Sequence, residues 1–331
     1  NNAIDSSEEE VLMRKILKVT VVCVPCCVSF MPTSLAFRKM LLPVKSGTTL
    51  YVGGCGPGNY TTIQDAVNAS VDGDAIFIYE KTPYYKENII VNKSISLIGE
   101  NQNVYIETKN WSIYVIRIVH DSVTIDGIKL SQDPIHESIS NYGIRVDNAS
   151  FINITHCHFL NDGNSIFFEK VKNSSISQNY FDYVEGCYGG AVTLSASDGN
   201  TFQGNLIVVN HFSVDLMILN GSSNNLIQNN NFSWPIHPGD TRSIVINSNA
   251  GIENKIIHNT IYPAIVCNIK AYFNRNYYEG AFRYWGHYPP KEVNYRILSL
   301  FLPMVLWNHN LRNPVFNIDW HPAFKAYSIP Q

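Results

Sequence analysis

Apolar residues recur along this chain as short alternating triplets. Ile113-Tyr-Val115, Ile144-Arg-Val146, Ile166-Phe-Phe168, Val192-Thr-Leu194, Met217-Ile-Leu219 and Ile244-Val-Ile246 each set two apolar side chains on one face of an extended segment, the period-two signature of a half-buried strand. A second apolar position follows at Val123, Ile154, Ile176, Phe202, Ile227 and Ile256, ten residues after the first in five rungs and twelve in the last. Around it the pattern runs apolar, two variable residues, a turn residue, one more, then apolar. The turn residue is Asp126, Cys157, Asn179, Asn205, Asn230 or Asn259, and the closing apolar residue is Ile128, Phe159, Phe181, Ile207, Phe232 or Ile261. Asparagine tolerates the left-handed backbone of a sharp corner, and its amide can bond a copy of itself in the next rung. These six positions therefore read as a structural ladder.

Spacings of 22, 26, 25 and 29 residues between successive second positions from Ile154 to Ile256 suit coils that turn corners and return to pair in parallel with the coil before. The expected fold is all-β, a single-stranded right-handed parallel β-helix. A propeller would need about 40 to 45 residues per blade, and no leucine consensus marks a leucine-rich repeat; an antiparallel sandwich is the competing arrangement.

An open solenoid end is a template for edge pairing, and both ends carry candidate caps. Thr61-Thr62-Ile63-Gln64 fits a capping box, and Ile63, Ala66 and Val67 give a short helix an apolar stripe before Asp72-Gly73-Asp74. Beyond Asn268 the repeat fades, and the segment from Asn276 is rich in tyrosine, tryptophan and proline. The expected organisation is an upstream extension and signal peptide over 1–36, a linker over 37–50, the β-helix with its N-terminal cap over 51–275, and a C-terminal capping segment over 276–331. The signal reading rests on Arg14, Lys15 and Lys18 before an apolar run from Val19 to Met31 and the small-residue site Ser34-Leu35-Ala36, with Met13 as initiator. A retained short anchor is its alternative. Neither that run nor Ile297 to Trp307, broken by Pro303, reaches the ~20 apolar residues of a membrane helix. The expected location is secreted or cell-surface.

Tyr51-Val-Gly-Gly-Cys-Gly-Pro-Gly-Asn-Tyr-Thr-Thr-Ile-Gln-Asp-Ala-Val67, Asp72-Gly-Asp-Ala-Ile-Phe-Ile-Tyr79 and Asn88-Ile-Ile-Val-Asn-Lys-Ser-Ile-Ser-Leu-Ile-Gly99 resemble the opening of NosD-like right-handed β-helix proteins, especially archaeal surface members. Tyr284-Trp-Gly286 and Asn317-Ile-Asp-Trp-His-Pro322 resemble their closing segment. The resemblance covers roughly Tyr51 to Pro330 and implies the fold, export and a surface or envelope setting, without implying a reaction. The namesake proteins assist copper-enzyme maturation, but no dense His/Met/Cys copper site is visible here, so copper delivery is a minor alternative.

Composition narrows the partners. Charged residues are 15% of the chain, the net charge is −3, and asparagine outnumbers lysine and arginine together. No basic footprint for nucleic acid is present, and no cofactor is expected. Surface glycans, polysaccharide or other envelope proteins are the expected partners. His156-Cys157-His158 is the most metal-like triplet, yet strand alternation sends Cys157 away from both histidines. If the chain is a carbohydrate-active enzyme, Asp182 and Glu185, with Asp162 and Asp215 from neighbouring rungs, are the candidate acids. A hydrolase needs two carboxyl groups ~5 to 9.5 Å apart; a lyase needs a base and a way to neutralise an acidic sugar. Tyr277, Tyr278, Tyr284, Trp285 and Tyr288 form the densest aromatic cluster for stacking on sugars, with cap packing as the plainer explanation. Nine Asn-x-Ser/Thr sequons, at Asn59, Asn68, Asn92, Asn110, Asn148, Asn153, Asn173, Asn220 and Asn231, are candidate glycan acceptors. Four cysteines remain after the signal segment, too scattered to form a disulfide framework. The leading expectation is a non-catalytic contact or envelope module, with a polysaccharide lyase or glycoside hydrolase as its alternative.

Overall fold

The computed structural model describes residues 47–109, 113–132, 142–160, 164–182, 190–208, 214–232, 242–247 and 249–261, and the backbone of the strands 264–267, 272–274, 277–278, 304–307 and 316–319. They form a right-handed parallel β-helix with one short N-terminal helix among the described residues. Each full coil contributes one strand to each of three sheets, called here sheets I, II and III, of twelve, nine and eight strands. One coil shows the order: Tyr142–Asp147 lies in sheet III, Asn153–Thr155 in sheet I and His158–Leu160 in sheet II. The next coil pairs with it in parallel, Ile144 beside Ile166, Ile154 beside Ile176 and Phe159 beside Phe181.

The core is a set of columns. Inward and outward positions alternate along each strand, and parallel register puts inward positions over one another. Leu97, Ile125, Ile154, Ile176, Phe202, Ile227 and Ile256 stack in this way in sheet I, each essentially inaccessible to solvent. Burying such a side chain contributes about 1.5–3 kcal/mol. Stacking makes the contributions of successive coils contiguous.

At the corner between sheets I and II, the amides of Asn179, Asn205, Asn230 and Asn259 form a ladder. The Asn205 Oδ1 accepts from the backbone N–H and the Nδ2 of Asn179, while its own Nδ2 donates to the Ile176 carbonyl and to Asn230 Oδ1. A second, parallel ladder of Asn200, Asn225 and Asn254 lies at the corner between sheets III and I, and Ser197 and Ser222 line a third column. Buried backbone groups at corners cannot enter the strand pairing, and leaving one unpaired costs about 1–3 kcal/mol. The amides supply those partners.

Three expectations shift in register. The ladder asparagines are not themselves left-handed; the residue before each carries the positive φ, as Gln178, Gly204, Asn229 and His258 do. Asp126 is not a ladder residue: it pairs with Thr155 in sheet I and receives the His156 imidazole at 2.9 Å. In that coil the strand residues are Ile116, Ile125 and Leu130, whereas Val123 and Ile128 occupy the two corner columns that carry asparagine in later coils. Both are fully buried, so apolar pattern alone cannot separate corner from strand there. Likewise Leu216 and Ile218, not Met217 and Leu219, pair with the inward Val192 and Leu194. The strand-to-strand interval is thus nine residues in the Ile116 coil and eleven in the Leu216 coil.

Helix α1 (Ile63–Ala69) buries Ile63, Ala66 and Val67 against the first coils. Its N-cap is Thr62, whose side chain accepts from the Asp65 N–H, one residue later than the capping box at Thr61 and Gln64. Gln64 is otherwise engaged, accepting from the Ile90 N–H at 2.7 Å. The Glu87 carboxylate accepts from the N–H groups of Ile63 and Gln64, and the Lys93 ammonium donates to the carbonyls of Val67, Asn68 and Ser70. Both ends of the helix are therefore satisfied by the strand region beneath it.

At the other end, Tyr277–Tyr278 pairs in parallel with Thr260–Ile261 and extends sheet II. Phe316–Asp319 joins sheet I through Phe273, and Met304–Trp307 pairs antiparallel to it. No helix among the described residues is long and apolar enough to cross a membrane. The signal-like segment and linker up to residue 46 lie outside the described residues.

Candidate active site

Four successive sheet II strands are triplets with an apolar middle residue: Tyr105-Ile-Glu107, Lys129-Leu-Ser131, His158-Phe-Leu160 and Tyr180-Phe-Asp182. Their middle residues point into the core, so alternation presents the flanking pair on the outer face. Register then aligns Tyr105, Lys129, His158 and Tyr180 in one column and Glu107, Ser131, Leu160 and Asp182 in the next.

Two clusters result. Toward the N-terminal end, Glu107 pairs with Lys86 at 3.2 Å and accepts from the Tyr105 hydroxyl at 3.5 Å. The Tyr84 and Tyr105 rings lie 5.0 Å apart, and the Lys129 ammonium is 5.9 Å from the Tyr105 centroid. Two coils on, the His158 ring lies 4.7 Å from the Tyr180 ring, and His158 Nε2 is 3.6 Å from Asp182 Oδ2. That separation exceeds hydrogen-bond distance, and the Nε2 atom is shielded from solvent. Burial and the Lys129 charge hold the His158 imidazole below its usual range, against the pull of Asp182. The imidazole is therefore uncharged at neutral pH. Burial and Asp182 push the Tyr180 phenol up, which keeps it protonated. A neutral imidazole beside a protonated phenol, one strand from an ammonium, is an acid–base arrangement.

Of the acids named from sequence, Asp182 is the one whose side chain is described. Asp182 lies in sheet II and the backbone of Asp215 in a strand of sheet III; Asp162 and Glu185 lie outside the described residues. Glu107 and Asp182 share a column but stand three strands apart, ~14 Å at the usual strand spacing and too wide for paired carboxyl catalysis. Of the aromatic cluster, Tyr277 and Tyr278 are placed by backbone only, and Tyr284, Trp285 and Tyr288 lie outside the described residues.

The His156-Cys157-His158 triplet is split three ways. His156 occupies the left-handed corner position, exposed and paired with Asp126. Cys157 points inward, with burial pushing its thiol up to about 12, and its backbone N–H donates to Asn179 Oδ1. Among the described residues no three His, Cys, Asp or Glu side chains converge on a metal position. Lys129, Tyr180, Tyr105 and Glu107 were not singled out from sequence; the available signal was the outward position of each triplet, read across coils.

The pectin methylesterase of Aspergillus niger is similar to this chain with a TM-score of 0.50 at 15% identity, covering 75% of this chain and 92% of that one. An alginate lyase from Paenibacillus sp. str. FPU-7 gives 0.46 at 13% identity, covering 70% and 98%. Tailspike protein 2 of the Escherichia coli O157:H7 bacteriophage CAB120 gives 0.43 at 16% identity, covering 71% and 38%. No protein-family model and no curated protein matches the chain. The likeness to the methylesterase is one of fold, the right-handed parallel β-helix in general rather than its NosD-like or archaeal surface members.

Proposed function

We propose that this protein is a carbohydrate-active enzyme that cleaves an acidic polysaccharide by β-elimination on the outer face of sheet II. The observation that carries the reading is the placement of His158, its ring 4.7 Å from that of Tyr180, its Nε2 3.6 Å from Asp182 Oδ2, and Lys129 beside it on the neighbouring strand. With its Nε2–H toward Asp182, the imidazole uses Nδ1 to take the proton from the carbon beside the sugar carboxylate. The freed electron pair forms the carbon–carbon double bond as the bond to the glycosidic oxygen breaks, and that oxygen receives the Tyr180 proton. Lys129 faces the carboxylate and offsets the charge that builds on it. The same proposal places the chain outside the cell membrane, where such polymers are met. The NosD-like resemblance of the opening motifs agrees with that setting and rests on those motifs alone.

The test is incubation of the full chain with alginate, polygalacturonate and a neutral glucan, following the ultraviolet absorbance of the unsaturated uronate. Product is expected from an acidic polymer and not from the neutral one. His158→Ala is expected to lower turnover by at least ~100-fold, the scale of lost acid–base catalysis, with an unchanged circular dichroism spectrum. Binding without product from any acidic polymer would replace this reading with a non-catalytic contact module.

A further inference from the structure

On the outer face of sheet III, Arg117 and Arg145 stand directly opposite each other on neighbouring strands. Like charges in that relation are destabilising, and one carboxylate holds them: Arg117 Nε donates to Asp147 Oδ2 at 2.7 Å and Arg145 Nε to Asp147 Oδ1 at 2.8 Å. Each guanidinium thus spends its Nε on Asp147. Among the described residues the Nη edges make no further ion pair, and the side chains keep 41% and 30% of their accessibility, against 16% for Asp147. The Arg145 plane is further fixed by two rings, its carbon lying 5.3 Å from the Tyr142 centroid and 5.1 Å from that of Phe167. A locally unfavourable pair that one carboxylate holds in place, with both arginine side chains part-exposed, is the kind of departure from structural economy expected of a binding site.

We infer that this pair is an anion-binding subsite for an acidic glycan, separate from the sheet II cluster, in which the Nη edges of Arg117 and Arg145 grip a carboxylate or sulfate group and the part-exposed Tyr142 and Phe167 side chains that flank Arg145 border the sugar ring. Guanidinium forks match planar carboxylate and sulfate oxygens bidentately, which an ammonium does not. Aromatic faces meet the apolar side of a pyranose. Glu169, beside Asp147 in the next coil, opposes an anion and sets the sign of a control. The inference takes from the proposed function only that the ligand is a glycan, and its readout is binding.

The experiment is titration calorimetry on the full chain carrying His158→Ala, which removes turnover, with three probes of equal length: an oligogalacturonate, a sulfated oligosaccharide and a neutral oligosaccharide. Arg145→Lys, which keeps the charge but loses the fork, is expected to weaken binding of an acidic probe at least tenfold and to leave the neutral probe unaffected. Arg117→Lys is expected to act in the same direction, and Glu169→Gln to tighten the acidic probe. The stronger acidic probe identifies the anion. Equal loss for the neutral probe, or acidic binding indifferent to both arginine variants while thermal melting shows them folded, would overturn the subsite. Absence of polymer cleavage by the wild-type chain, with arginine-dependent binding intact, would count against the sheet II reading alone.

Discussion

Asn205 makes four hydrogen bonds through one buried amide, two accepted from Asn179 and one donated to each of Ile176 and Asn230. Replacing it with alanine strands the Asn179 N–H and the Asn179 Nδ2 hydrogen that does not reach the Ile154 carbonyl, and removes the side-chain partner of the Ile176 carbonyl; unpaired buried groups cost about 1–3 kcal/mol each. Asn205→Ala is expected to destabilise by at least ~3 kcal/mol in urea unfolding. Gln228, which donates to Gln203 on the half-exposed outer face of sheet I, is the control, and its alanine variant should stay within about 0.5–1 kcal/mol of wild type. His158 gives a pH dependence of known sign. Its folded-state pKa lies below the ordinary 6.5, so the unfolded chain takes up the proton first as pH falls. Its contribution to stability is complete above about pH 6.5 and is lost progressively below it. Lowering the pH from 7.5 to 5 should therefore reduce the urea midpoint of wild type by more than that of His158→Gln; a constant difference would contradict the assignment.

At the scale of the element, α1 shows how a seven-residue helix, too short to persist alone, is held by its surroundings. Glu87 fills the N-terminal donors and Lys93 the C-terminal acceptors. Glu87→Gln and Lys93→Met are each expected to cost about 1–2 kcal/mol and to raise hydrogen exchange in residues 63–69 before that of the middle coils. The helix stripe was legible because Ile63, Ala66 and Val67 follow helical spacing; the carboxylate that fills its remaining N-terminal donors was not, because Glu87 is supplied from 24 residues away. The same boundary runs through the sheets. Strand positions such as Ile154 and Phe159 were legible from their fixed interval after the alternating triplets, and the ladder from Asn179 onward from its repeated amide. The second ladder was hidden because its column runs Val123, Ile152 and Ser174 before it turns to asparagine at Asn200, Asn225 and Asn254. The juxtaposition of Lys129, His158 and Tyr180 was hidden for a related reason. Neighbours on an outer face are set by register between coils of unequal length, and only the register of the folded chain puts 129, 158 and 180 side by side.

At the scale of the molecule, stacked coils interact mainly with their neighbours, so a whole coil can be removed where a fraction cannot. Deleting Ser177–Phe202 joins Ile176 to Gln203, keeps inward positions inward, and brings Asn205 beneath Cys157 in the place of Asn179. The shortened chain is expected to keep its β-sheet circular dichroism and cooperative melting, whereas a deletion of about half that length, which turns strands into corners, is expected to aggregate. Sequon use should follow the corners as well. In a glycosylating secretory host, glycopeptide mapping is expected to find glycan at Asn148 and Asn173, which are exposed with positive φ, and bare peptide at Asn231, whose Oδ1 is buried, and at Asn59, whose Nδ2 donates to the Gly53 carbonyl.

The functional reading depends on His158 being an uncharged base beside a bound acidic sugar. An imidazole NMR titration of the full chain, with the His158 signal assigned by its loss in His158→Gln, measures this directly. The account expects a pKa below 6.5 that rises when a short oligogalacturonate is added, because a nearby carboxylate favours the protonated ring. A His158 that titrates at or above the ordinary value and does not respond to the oligosaccharide would contradict it.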